Sequence, residues 1–285
     1  MASPAEPILP PELERMIFEI CAQSLPVFTT RLMLVARRVN QWVEPFLYRV
    51  ICIGIYSAVP GFPLFTPENF ASMMARKSPE FLRKAVRHFM IEDGSGYPSG
   101  GRDFLNICTE VEDLWLPYED KSSVPSIQVL PLRRLEIDFS QFFRLPLSCK
   151  ALSGLTHLAL DDTPADYDLA CTTFLALPKL THLSFDGAFQ FIRERVDQML
   201  ESLPLLGVMA AFAYDIDSFD HYSKWHITTD PRFVVLVPRP DFNRDWHSGA
   251  RGGPDYWTNA ENFVAKRRAG KIDPPGYMCE CEWIY

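Results

Sequence analysis

The sequence contains no run of ~20 uninterrupted apolar residues, the length a membrane-spanning helix needs. Its most apolar stretch, Val50 to Phe65, is broken by Gly54, Ser57, Pro60, Gly61 and Pro63. It lacks a basic opening followed by an apolar block, so Met1-Ala2-Ser3-Pro4-Ala5-Glu6-Pro7 does not read as a secretory signal. It has no surplus of positive charge. The formal net charge of −8 removes any general attraction to phosphate backbones or anionic bilayers, which argues against nucleic acid or membrane as a partner. Gly-x-Ser-x-Gly and His-Glu-x-x-His are absent, and no nucleophile stands in a recognisable pattern with a base. The expectation is a protein that is not an enzyme, with no catalytic, cofactor-binding or metal-binding residues.

Disulfide pairing is also missing from the pattern. The seven cysteines are odd in number and mostly far apart, as expected of buried thiols in a reducing compartment. The expected location is cytoplasmic and/or nuclear. With 47% hydrophobic and 22% charged residues over 285 positions, the composition is that of a folded chain with a sizeable core.

The first fifty residues carry a helical pattern. Pro10-Pro11 pre-sets a helix start, Glu12 and Glu14 suit its positive end, and Leu13, Met16, Ile17 and Ile20 share one face at i, i+3, i+4, i+7. A second apolar stretch with basic edges runs from Leu32 to Val43. The period then shortens. Val50 to Ile55 reads as a strand, and Phe70 to Val86 as helix.

A short motif, L-x-x-L-x-L, recurs from there on. Its second apolar marker is Phe89, Leu114, Leu135, Leu158 and Leu183, at intervals of 25, 21, 23 and 25 residues, within the 20–29 window of leucine-rich repeats. The spacing predicts parallel strands at 88–92, 113–117, 134–138, 157–161 and 182–186, with weaker ones at 206–210 and 233–237. The expected fold class is α/β, with an N-terminal three-helix segment followed by an irregular leucine-rich-repeat solenoid. The domain divisions are 1–53, a connecting strand and helix at 54–84, the array at 85–240, and an aromatic-rich cap or tail at 241–285. In that tail Thr258-Asn259-Ala260-Glu261 reads as a capping box opening a short helix that ends near Gly270. The aromatic density around it predicts packing on the array's open end.

Leu9-Pro10-Pro11-Glu12-Leu13-Glu14-Arg15-Met16-Ile17-Phe18 resembles the opening of an F-box, and Leu34 through Arg49 resembles its second half. Where F-boxes usually carry Cys-Lys/Arg-Trp, this chain reads Ala36-Arg37-Arg38-Val39, with Trp42 displaced by three residues. The combination is similar to F-box-like leucine-rich-repeat proteins of the type common in basidiomycete fungi. The resemblance implies a substrate receptor of a cullin–RING (SCF-type) ubiquitin ligase, docking a Skp-type adaptor, and through it a cullin, by Leu9, Pro10, Leu13, Ile17 and Phe18. The alternative is a stand-alone repeat scaffold that binds protein without recruiting a ligase.

Alternation along the predicted strands puts Glu92, Pro117, Asp138, Asp161 and Asp186 in one outward row, and His88, Asp113, Arg134, His157 and His182 in the next. Glu92, Asp138, Asp161, Asp186, His157 and His182 are the candidate contacts for a protein substrate with a basic segment. The remaining chemical patterns read as structure. Gly94–Gly101 is a loop, and Asp215–His221 lacks the plan of a calcium hand. Cys279-Glu280-Cys281 lacks a second ligand pair for zinc, and Lys266–Lys271 reads as a solvated helix end.

Overall fold

The computed structural model describes residues 9–53, 65–91, 101–116, 121–161, 167–186, 194–213, 227–237, 240–281 and 283. Its centre is a nine-stranded sheet, all parallel, with its strands in chain order from β1 to β9. The strands are β1 (Val50–Ile53), β2 (His88–Ile91), β3 (Asp113–Leu116), β4 (Arg134–Asp138), β5 (His157–Asp161), β6 (His182–Asp186), β7 (Val208–Phe212), β8 (Phe233–Val237) and β9 (Met278–Glu280).

The five strands derived from the repeat spacing are present. Their markers form one ladder, Phe89–Leu114–Leu135–Leu158–Leu183, which extends to Ile51 on one side and to Met209 and Phe233 on the other. Every member of that ladder is buried. Together with the alternate residues Ile53, Ile91, Leu116, Ile137, Leu160 and Phe185 it makes the larger core.

Return helices cover this face. Among them are α4 (Pro67–Arg76), α5 (Pro79–Ala85), α6 (Gly101–Ile107), α7 (Val124–Ile127), α8 (Phe139–Phe142), α9 (Lys150–Ser153), α10 (Tyr167–Leu175) and α11 (Val196–Ser202). Local chemistry starts several of them. Thr66 accepts from the Asn69 N–H at 3.3 Å and Ser78 from that of Phe81 at 3.2 Å, each with proline at the first helical position.

The expected architecture, a helical F-box-like segment followed by a repeat solenoid with an open inner face, is corrected. The molecule is an α/β fold around one all-parallel sheet with helices on both sides. That sheet takes its first strand from residues 50–53 and its last from residues 278–280. The cause lies in the strands themselves. β1, β3, β7 and β8 are buried at every position, and a strand apolar on both sides needs a helical layer on each. The short repeat motif fixes strand spacing and the first face but carries nothing about the second.

The second layer is C-terminal. Helices α12 (Phe242–Ala250) and α13 (Tyr256–Arg268) lie across the sheet, where Tyr256, Trp257, Ala260, Phe263 and Val264 pack on Val208, Ala210, Phe212, Val234 and Leu236. Trp246 and Ala250 pack on Val50, Cys52, Met90 and Trp115. The aromatic tail therefore covers a face instead of closing an end. The capping box is real but displaced by three residues. Asp255 is the N-cap, accepting from the Thr258 N–H at 2.9 Å, and Thr258 is the reciprocal partner. Nor is the basic end of α13 wholly solvated. Arg267 is buried and donates to the carbonyls of Asp230, Phe233 and Pro274 at 2.7, 2.8 and 2.5 Å.

At the N-terminus α1 (Pro11–Ser24), α2 (Thr29–Leu32) and α3 (Arg37–Leu47) pack through a separate small cluster, Ala22, Val39 and Val43 with Phe18, Leu32, Trp42 and Phe46 around them. Arg38 donates to Glu14 at 2.7 Å across α1 and α3, and Lys77 to Glu44 at 2.6 Å ties α3 to the body.

Candidate functional site

Two surfaces carry the chemistry: the covered polar seam under α12 and α13, and the outer face of α1. The seam is the row expected from alternation, with His88, Asp113, Arg134, His157 and His182 in lateral register on β2–β6. The sequence reading leaves these residues facing solvent. The structure sets the C-terminal helices over them.

Each polar member of the row meets a group from above or beside it. The Trp246 indole N–H donates to Asp113 Oδ1 at 3.1 Å, and Asp113 Oδ2 lies 3.3 Å from His88 Nδ1. Arg134 donates to Asp255 Oδ2 at 2.7 Å, so one carboxylate both caps α13 and fixes it to β4. His182 Nε2 lies 2.9 Å from Glu261 Oε1, and the His157 and His182 rings stack at 4.0 Å beneath the edge of Trp257. One row further along, the Tyr256 hydroxyl shares a 3.0 Å hydrogen bond with Ser184.

Carboxylates crowd the middle of this seam. Glu136 sits on β4 between Trp115 and Ala159 in the ladder, almost fully buried. Loss of solvent, reinforced by Asp161, Asp245, Asp113 and Asp186, drives its carboxyl well above the usual range. Asp245 on α12 accepts from the Tyr256 N–H at 3.0 Å, while its Oδ1 is buried without a partner. Burial pushes this carboxyl up to about 8, so Asp245 is protonated at neutral pH. His157 moves the opposite way for the same reason, down to about 2, and is neutral.

The space left among these groups is a cavity of about 20 Å³ bordered by Asp113, Glu136, Asp245 and Tyr256. That is room for about one water. The middle of the seam is thus a joint between layers, with no space for a substrate among these groups. Strand order adds to this. Since β1–β9 run in sequence, there is no point where the order reverses, and so no crevice of the type that binds nucleotides in doubly wound sheets.

No protein-family model and no curated protein matches the chain.

The third row is less covered. Asp138, Asp161 and Asp186 align in register at the ends of β4, β5 and β6, each half-buried. Asp138 is also the N-cap of α8, accepting from the Ser140 N–H at 2.7 Å. Glu92 and Pro117, as well as Asp215–His221, lie outside the described residues.

On the second surface, Leu9, Leu13 and Ile17 are exposed, as are Met16 and Ile20, and Pro10 is the N-cap of α1. Phe18 is not with them. It turns inward onto Ala22, Val39 and Val43, and supplies the packing that holds α1 to α3. Leu25, Val27, Phe28, Leu34 and Val35 extend the exposed set, Leu34 at 87%.

Sequence reasoning missed Asp245, Asp255, Tyr256 and Glu261 as seam residues. One signal was available. Asp255 stands three residues before Thr258, a capping pair as valid as the one chosen. Among the described residues no helix is long and apolar enough to cross a membrane.

Proposed function

We propose that this chain is a recognition subunit without catalysis of its own: a substrate receptor of an SCF-type cullin–RING ubiquitin ligase, whose N-terminal helices dock a Skp-type adaptor. The observation that carries the reading is the apolar stripe Leu13–Met16–Ile17–Ile20, exposed along the whole of α1 while Phe18 and Ala22 hold the same helix to the chain. A helix that secures itself with one face and leaves four large apolar side chains in solvent on the other is built for a protein partner. Fully burying each such group is worth ~1.5–3 kcal/mol. These four start about half covered, so together they offer several kcal/mol, enough to anchor an interface after association costs.

The resemblance of Leu9–Phe18 to an F-box opening gives the partner its chemical class. The adaptor contacts are then Leu9, Pro10, Leu13 and Ile17, with Phe18 acting from beneath. The body would hold the protein substrate. Its register-aligned aspartates, Asp138, Asp161 and Asp186, stand about 4.8 Å apart, a spacing that favours a cationic segment over isolated charges.

The test is capture of a Skp-type adaptor by the full chain and by Leu13→Asp with Ile17→Asp. Both positions are exposed, so circular dichroism should show an unchanged fold. Capture by the native chain and its loss in the variant support the proposal. Absence of capture by the well-folded native chain would sink ligase recruitment and leave a protein-binding scaffold.

A further inference from the structure

The stacked histidines of the seam carry a contradiction that a cation resolves. His157 and His182 each follow a threonine, and each Nδ1 lies against that threonine's hydroxyl, at 2.9 Å from Thr156 and 2.8 Å from Thr181. Both hydroxyls also have a carbonyl to donate to, Thr156 that of Arg133 at 3.0 Å and Thr181 that of Thr156 at 3.2 Å. A hydroxyl has one proton to give. With that proton on the carbonyl, each imidazole donates from Nδ1, which leaves Nε2 of the neutral ring with its lone pair outward. On His182 that lone pair faces Glu261 Oε1 at 2.9 Å. Two acceptors at hydrogen-bond distance repel unless something positive lies between them.

A second proton on His182 is one solution, and the surroundings oppose it. Its neighbour 4.0 Å away is another imidazole, and Arg134 stands next in the same row. A metal ion is the other solution, and the geometry is close to ready for it. One ligand atom from each of His157, His182 and Glu261 lies within 4.8 Å of the others. Metal–ligand bonds of ~2.0–2.2 Å bring such atoms roughly 3.3–3.5 Å apart in a tetrahedron. The remaining adjustment is a turn of one of the two stacked rings, so that their lone pairs converge, with a shift on the order of an ångström by the half-exposed Glu261 side chain on the surface of α13. Arg134, the nearest fixed cation, is neutralised by Asp255 at 2.7 Å.

We propose that the Nε2 atoms of His157 and His182 and the carboxylate of Glu261 form a binding site for a divalent transition ion of the zinc class, with water in the fourth position. The ligand set suits it, since neutral imidazoles and one carboxylate select zinc over calcium or magnesium. Thr156 and Thr181 are positioning residues. They engage Nδ1 of each ring and so leave Nε2 for the ion, as outer partners do in zinc sites generally. The ion joins β5 and β6 to α13 and thereby fastens the C-terminal layer to the sheet.

The experiment uses the full chain stripped with chelator, titrated with Co²⁺ and read by its visible ligand-field bands, then displaced by Zn²⁺. One ion per chain is expected, with a rise in melting temperature as it binds. Trp257, whose ring lies 5.2 and 5.5 Å from the two imidazoles, should lose fluorescence when Cu²⁺ replaces Zn²⁺. Glu261→Gln, a change on an exposed helix surface, should weaken binding tenfold or more, and His157→Gln should remove it. The pair Cys279→Ser with Cys281→Ser, whose thiols lie 3.5 Å apart, should leave binding unchanged. The proposal is overturned if the native chain takes up no stoichiometric ion, if Glu261→Gln binds as tightly as the native chain, or if the serine pair abolishes binding. Nitrogen NMR showing His182 doubly protonated at neutral pH and unaffected by Zn²⁺ would overturn it equally, and needs no variant.

Discussion

Asp245 makes the fold sensitive to alkali. Its carboxyl ionises at 3.8 in an unstructured chain and at about 8 in the folded one, because α12 places it inside the seam with only one hydrogen bond and with Asp255 nearby. A carboxyl raised in this way contributes stability that is fully present below pH 3.8 and is lost as pH rises through 8, since the unfolded chain gives up the proton first. Each pH unit in that interval is worth about 1.4 kcal/mol. Between pH 5 and pH 8 this one residue should remove on the order of 3–4 kcal/mol of folding free energy, a large part of the ~5–15 kcal/mol typical of a domain. Asp245→Asn keeps the acceptor for the Tyr256 N–H and cannot ionise. The variant and the native chain should therefore be similarly stable near pH 4, and the variant should be more stable by several kcal/mol at pH 8. Urea unfolding at both pH values measures the difference directly. Any fixed cost of the amide cancels in the comparison between pH values, so an advantage of equal size at pH 5 and pH 8 would refute the argument. Glu136 titrates in the same sense in both proteins, and losing Asp245 as a neighbour should lower its carboxyl somewhat, adding to the variant's gain.

Gly249 lies so close to the N-cap of α13 that an added Cβ would stand 2.6 Å from Asp255 Oδ2, which Arg134 holds in place. Gly249→Ala should cost about 1–3 kcal/mol in chemical denaturation, and a variant as stable as the native chain would show that this contact is loose. Arg267→Ala should remove a donor from each of the Asp230, Phe233 and Pro274 carbonyls and cost about 3 kcal/mol or more, with Arg267→Lys recovering only part of it. Unaltered melting of either variant would contradict that role. Phe18→Ala should destabilise by about 3 kcal/mol, through loss of the N-terminal cluster, whereas Leu13→Ala and Ile17→Ala should each stay within ~0.5 kcal/mol. Equal effects at the three positions would mean that α1 is rotated from the orientation described.

The strand ladder was legible because its signal is redundant. Phe89, Leu114, Leu135, Leu158 and Leu183 repeat one short pattern, and each strengthens the assignment of the next. The second face was not legible, because its partner lies far away in sequence. Glu136 in a β-strand looks like a solvent-facing residue, yet it is covered by helices that begin more than a hundred residues later. The same distance hid Glu261, which reads as the closing member of a capping box until Asp255 takes the N-cap and turns Glu261 toward His182. On α1 the periodicity correctly grouped Leu13, Met16, Ile17 and Ile20, but periodicity identifies an apolar face without telling which way it points. Phe18, just off the stripe, is the residue that points inward.

The order of the strands has a further consequence for how the molecule is made. Because every strand pairs with its neighbours in the chain, each pairing from β1 to β8 can form as soon as the next repeat leaves the ribosome, without waiting for a distant segment. The layer formed by α12 and α13, and the edge strand β9, are synthesised after β1 to β8. Until then Val208, Ala210, Phe212, Val234 and Leu236 have no cover on that side, and the Glu136 carboxyl remains in water. Closing that layer is the moment at which the seam dries and the Glu136 carboxyl is pushed toward its neutral form, so the nascent chain is at its most aggregation-prone just before residues 241–281 arrive, and a ribosome stalled there would display a half-clad sheet to the quality-control machinery of the cell.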